Sequence, residues 1–195
     1  MPIEKWFDTP IYYNRVDNFR QIQKEIGDVI FSLETKSLFN KHKDWGNQNH
    51  SLSDVTFKKN LIEEYKLVNL KTSILENVSK FLRTFSEEKY NFFIKESWLT
   101  KTESKEHAVA HCHAGCDLSG VYYYQAPKNS GSIYFLNPLT NLVANEFFKP
   151  DDLVTYPPDN GIIILFPSWL YHGVRSNDSN SVRISLSFNL KLTIN

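Results

Sequence analysis

The chain is poor in the features that mark a special environment. It has only two cysteines, Cys112 and Cys116, and they flank His113 in one short segment. So few thiols exclude a disulfide framework and favour a reducing compartment. A Cys-x3-Cys pair is also only half of a zinc-ligand set, and the other half is missing. No charge of one sign dominates: Lys plus Arg and Asp plus Glu each number 22. That balance gives no specific nucleic-acid signal and no acidic solvating tail. No stretch approaches the ~20 apolar residues needed to cross a bilayer. Residues 1–15 lack the basic start and apolar run of a signal peptide. The expectation is a soluble, cytoplasmic protein with no membrane partner. No internal repeat, low-complexity segment or linker divides the chain.

What is present suits one globular domain over residues 1–195. At that length a chain buries enough surface to fold without a disulfide or structural metal. Hydrophobic residues make up 41% and aromatics 14%, enough for an aromatic-rich core. About residues 1–90 read as helical support. In 17–34, Phe19, Ile22, Ile26, Val29, Ile30 and Leu33 recur at steps of three and four, giving one apolar helical face, with Asp17 or Asn18 as cap. Residues 40–54 are polar and aperiodic and read as a loop. The helical period returns over 57–85, as two helices or one broken near 66–69, with Ser53 or Asp54 as cap.

From about residue 91 to 195 the pattern becomes short aromatic and β-branched runs: 92–99, 118–125, 131–136, 161–166, 171–175 and 182–192. Turn-forming segments at 127–131, 156–161 and 176–179 separate them. Helices first and strands later indicate an α+β, mainly β protein, with the strands in a sandwich or barrel.

Six histidines are candidates for chemistry. His42 and His50 lie in the polar loop and read as surface residues. His107 follows a charged run and reads as the exposed start of a strand. His111 and His113 stand two apart, so on an extended chain their rings share a side and can converge on one ion. Imidazole suits iron, zinc, copper and nickel; the bland reading is two polar residues on a wet strand face. His172 directly follows the apolar run Ile162-Ile163-Ile164-Leu165-Phe166 and needs a partner if buried. It is either a ligand or a core histidine bonded to backbone. Arg183 alternates with Ser185 and Ser187, opposite Val182, Ile184, Leu186 and Phe188. It is either a carboxylate-binding fork or a solvated strand arginine. Val121 and Tyr123 share one face of their strand, Tyr122 and Tyr124 the other. Trp98 and Trp169 read mainly as core, with Trp169 also placed to wall a site.

The order His-x-His, Ser-Gly-Val-Tyr-Tyr, Phe-Pro-Ser-Trp-Leu-x-His-Gly-Val and Arg-Ile-Ser-x-Ser-Phe-Asn resembles the 2-oxoglutarate/Fe(II) oxygenase family of bacteria and phages, over residues 97–190. The resemblance implies a double-stranded β-helix, the jelly-roll or cupin-like core, with N-terminal helices packed outside. It implies iron, held by a His-x-Asp or His-x-Glu pair and a distal histidine, and 2-oxoglutarate bound by an arginine about ten residues further on. Here Arg183 stands eleven residues beyond His172 and Ser185 follows it. Tyr123 is placed to bond the co-substrate carboxylate. Position 113, where the wider superfamily has a carboxylate, is histidine. Three ligand sets follow: His111, His113 and His172 together; His111 and His172 with Asp117, if the Ala114-Gly115-Cys116 turn folds back; or two histidines with a water or anion. The first is favoured.

The implied activity is a 2-oxoglutarate-dependent dioxygenase, hydroxylating a small-molecule or peptide substrate. The alternatives are a cupin-like metalloenzyme that does not use 2-oxoglutarate and a non-catalytic β-helix module for recognition or assembly. A homodimer stays open. Specificity is expected in loops, here residues 137–152 and the segment near Trp45.

Overall fold

A computed structural model of the chain describes residues 8–41, 51–52, 60–85, 90–139 and 152–193. His42, Trp45, His50, Ser53, Asp54 and nearly all of the expected specificity loop at 137–152 lie outside the described residues.

The first helix, α1 (Phe19–Thr35), buries Ile22, Ile26, Val29, Ile30 and Leu33. This is the face its period predicts. The second helical stretch is broken, as expected, into α2 (Leu61–Glu64) and α3 (Val68–Leu82). The break falls where Lys66 takes a left-handed φ of 52°, a conformation that no helix interior tolerates. Asn18 precedes α1 without a side-chain cap, whereas the Asn60 side chain accepts from Glu63 N and caps α2. No capping side chain precedes α3. The Glu25 carboxylate, reaching across from α1, accepts from Asn69 N and Leu70 N instead. An orphan N-terminus is thereby satisfied by a neighbouring helix.

The strands form two sheets. Among the described residues the larger has seven, β1 (Tyr12–Arg15), β2 (Asn40–Lys41), β3 (Ser51–Leu52), β4 (Asn91–Thr102), β6 (Leu118–Gln125), β9 (Ile162–Pro167) and β11 (Arg183–Thr193), in the order β1-β9-β6-β11-β4-β3-β2. The smaller runs β5 (Ala108–His111), β10 (His172–Val174), β7 (Ile133–Leu136) and β8 (Leu153–Tyr156). All strand pairings are antiparallel. Three additions stand against the expected helix-then-strand order: β1 precedes α1, and β2 and β3 fall in the stretch expected to be loop.

The large sheet is the middle layer, and the alternation of its side chains divides two cores. Ile163 and Leu165 of β9, Tyr122 of β6, and Ile184, Leu186 and Phe188 of β11 pack with the helices. Ile162, Ile164 and Phe166, with Val121 and Tyr123, meet Ile133 and Phe135 of the small sheet. Burial on both faces is why residues 162–166 are continuously apolar. Close packing leaves no room for a side chain at position 120: a Cβ on Gly120 would lie 2.5 Å from the Phe188 ring. No helix of the described residues is long and apolar enough to cross a membrane.

Candidate metal and co-substrate site

Between the sheets lies a cavity with about 640 Å³ of open space including its mouth. Trp98, Val121, Ile133, Phe166 and Val174 supply its apolar wall, and Thr100, Thr102, His107, Ser185 and Ser187 its polar one. His111, His113, His172, Tyr123 and Arg183 all line it. The β6 alternation therefore resolves in favour of Val121 and Tyr123 facing inward.

The three histidines meet at one end. One nitrogen of each ring lies within 4.8 Å of the others, and ring centroids are 4.5 Å apart for His111 and His172 and 5.1 Å for each pair that includes His113. His172 and His111 are direct cross-strand partners of β10 and β5, so the ladder itself brings these two rings together. His113 arrives differently. It lies past the end of β5, so continued strand geometry does not place it; its backbone N–H donates to Ser168 O at 2.9 Å.

Burial lowers the pKa of all three. The His172 ring falls to about 3, chiefly by burial and then by the nearby His111, and His113 to about 4 for the same two causes in the same order. His111 is lowered by burial too, opposed by its bond to Val109 O. All three are thus neutral near pH 7, the protonation state a metal needs. Nδ1 of His111 meets Val109 O at 2.8 Å and Nδ1 of His172 meets Leu170 O at 2.9 Å. Such a backbone acceptor fixes the tautomer in which the other nitrogen carries the lone pair that a metal takes. The donor chemistry therefore fits a divalent first-row metal such as iron.

Asp117 faces elsewhere. Its carboxylate accepts from Lys191 Nζ at 2.9 Å and Leu192 N at 2.7 Å. Burial pushes its pKa up, but these bonds outweigh that and hold it below the ordinary value. Gly115 does take the left-handed turn, with φ of 78°, but the turn delivers Asp117 to β11, away from the histidines.

At the other end of the cavity Arg183 is 3% exposed. One terminal nitrogen donates to Ser130 O and Gly131 O at 2.8 and 2.9 Å, the other to Thr102 Oγ1 at 2.8 Å. Nε has no partner among the described residues. Burial lowers the Arg183 pKa, while Tyr123 opposes the shift; the Tyr123 hydroxyl, fully buried, is pushed up to about 12. Both stay protonated and present hydrogen-bond donors.

Two expectations need correction. Trp169 is 56% exposed and is no part of the core, because its neighbour Leu170 takes the inward position on that loop. His107 is half-buried on the cavity wall, since the charged run before it turns inward, with Glu106 buried. Asn189, inside the same frame beside His113, was given no role by sequence. The polar row Arg183, Ser185, Ser187 points to it by simple continuation.

Residues 96–189 match the family model described as "Putative 2OG-Fe(II) oxygenase". No curated protein matches the chain in sequence. Solved structures do match it in fold. An oxidoreductase of the 2OG-Fe(II) oxygenase family from Burkholderia pseudomallei is 13% identical, with 92% of this chain and 85% of that one covered at a TM-score of 0.63. A prolyl-4-hydroxylase from Pseudomonas putida is 11% identical over 94% and 93%, at 0.64. HygX from Streptomyces hygroscopicus, solved with nickel and 2-oxoglutarate bound, is 11% identical over 94% and 82%, at 0.63.

Proposed function

We propose that this chain, whose residues 96–189 match the 2OG-Fe(II) oxygenase family model, is an Fe(II)- and 2-oxoglutarate-dependent dioxygenase using His111, His113 and His172 for iron and Arg183, Ser185 and Tyr123 for the keto acid. The observation that carries the reading is the arrangement of one cavity: neutral imidazoles at one end and, at the other, a buried cation with no carboxylate partner among the described residues. An unpaired buried charge is costly, and the distal carboxylate of 2-oxoglutarate relieves it.

Iron, when bound, supplies the redox chemistry by which O2 and 2-oxoglutarate yield succinate, CO2 and an oxidised substrate. The chain's own work is orientation and exclusion. Arg183 offers Nε–H and one Nη2 hydrogen to the carboxylate, with its other three hydrogens fixed on Ser130 O, Gly131 O and Thr102 Oγ1. Ser185 stands two positions along the same strand, and the Tyr123 hydroxyl keeps its proton for donation. Val121, Ile133 and Phe166 keep water from the space between the two ends. Asp117, engaged by Lys191 Nζ and Leu192 N, supports the three-histidine set over its carboxylate alternative. The substrate is a small molecule or peptide entering by the mouth, the range that includes the prolyl-4-hydroxylase neighbour.

The test is ligand-dependent melting with Mn(II) standing in for iron. Wild-type protein with keto acid at 100 times its dissociation constant should gain about 2.7 kcal/mol. In Arg183→Ala the keto-acid gain should vanish while the metal gain stays. A gain retained in that variant would favour the cupin-like metalloenzyme; no gain from metal or keto acid in the wild type would favour the non-catalytic module.

A further inference from the structure

The three histidines are not held alike. In His111 and His172, Nδ1 faces the carbonyl two residues earlier. A carbonyl only accepts, so Nδ1 carries the proton and Nε2 keeps its lone pair. For the His113 ring the neighbour is instead an amide: Asn189 Nδ2 lies 3.3 Å from His113 Nδ1.

That amide cannot turn freely. Its Nδ2 is also 2.8 Å from Glu96 Oε1, and a carboxylate accepts only. Its Oδ1 accepts from Ser119 Oγ at 2.7 Å, and Ser119 Oγ meets Ser168 Oγ at 2.7 Å. Asn189 is 1% exposed, so water does not substitute for these partners. A reversed amide would set Oδ1 against the Glu96 oxygen with no proton between them. Of the two Nδ2 hydrogens, one goes to Glu96 and the other faces His113 Nδ1, which must accept it. The proton of the neutral His113 ring then sits on Nε2, where the other two rings hold a lone pair.

We propose that Glu96, acting through Asn189, is a positioning residue that holds His113 in the tautomer unable to ligate. The site then captures metal on His111 and His172, and His113 joins only when the Asn189 amide reverses. This rests on the three-histidine reading above and assigns the third ligand a built-in weakness.

The test is a mutant cycle read by equilibrium Co(II) binding against a competing chelator, with the visible spectrum of bound Co(II) as a second readout. In Glu96→Gln the side chain either accepts from Asn189 Nδ2 as before or, with its amide turned, donates to a reversed Asn189 Oδ1, which then accepts from His113 Nδ1 as well, so reversal no longer sets oxygen against oxygen. Removing a negative charge beside the site would by itself weaken binding of a dication. The inference calls for the opposite: affinity at least ten-fold tighter, with a Co(II) spectrum shifted toward greater nitrogen ligation. His113→Ala should cost under three-fold in the wild-type background and at least ten-fold in Glu96→Gln. Asn189→Leu, which removes the amide donor altogether, should move in the same direction as Glu96→Gln. Unchanged or weaker affinity in both Glu96→Gln and Asn189→Leu overturns the inference, as does an equal cost of His113→Ala in both backgrounds. Failure of the reading beneath it looks different: wild-type protein would bind no Co(II), or would bind it undiminished in His172→Ala.

Discussion

His113 and His172 tie the stability of the metal-free protein to pH. Their folded pKa values, about 4 and about 3, lie below the ordinary 6.5. Above 6.5 both rings are neutral, folded or unfolded, and the protein has its full stability. Below 6.5 the unfolded chain takes up protons that the fold refuses, so stability falls with falling pH until the folded values are reached. At about 1.4 kcal/mol per unit, His113 alone is worth on the order of 3 kcal/mol. Urea melts between pH 7 and 4 should show that loss, and His113→Gln should flatten the profile. How legible were these residues? The pair Arg183 and Ser185 could be read from two-residue alternation, because β11 keeps its polar row on the cavity side. His172 was visible as a polar residue closing an apolar run. Asn189 continued the same alternation but was given no role, and its partnership with Glu96, 93 positions away, arises only through the β4–β11 ladder and was not legible.

The helices depend on one another for their ends. Glu25 on α1 satisfies the first N–H groups of α3, so Glu25→Ala should cost about 1 kcal/mol, in line with loss of an N-cap. Metal and keto-acid affinity should not change; a calorimetric melt with a binding titration separates the two. Gly131 should behave differently. Its φ is 91°, and a Cβ there would crowd Ser176 O at 2.9 Å. Its own carbonyl holds the Arg183 guanidinium. Gly131→Ala should therefore lower Tm by several degrees and weaken keto-acid binding together, as seen by differential scanning and titration. Long elements with a clear period were readable from sequence, α1, β6 and β11 within a residue or two and α3 within three. The short strands β1 and β8 were not, for four residues carry little period and their pairing is remote: Tyr12 meets Leu165.

Across the whole molecule, the larger sheet separates a helix-packed core from the core between the two sheets. Helical period foretold the first and continuous apolar runs the second, so the layered architecture was legible where both faces of a strand are buried. The course of the chain between sheets was not, since it depends on turns such as the one after Gly115, whose destination sequence does not encode locally.

β11 has one more consequence. It is paired along most of its length with β4 on one side and β6 on the other, so Arg183 cannot slide along it. His172 is fixed in its turn between β5 and β7. The distance from guanidinium to imidazoles is therefore a gauge set by two ladders, and the fold should measure its co-substrate by length. Oxaloacetate, one carbon shorter than 2-oxoglutarate, and 2-oxoadipate, one carbon longer, should each bind the Mn(II)-loaded protein at least ten-fold more weakly in a calorimetric titration. A keto acid of either other length that bound equally well would mean that the gauge has slack.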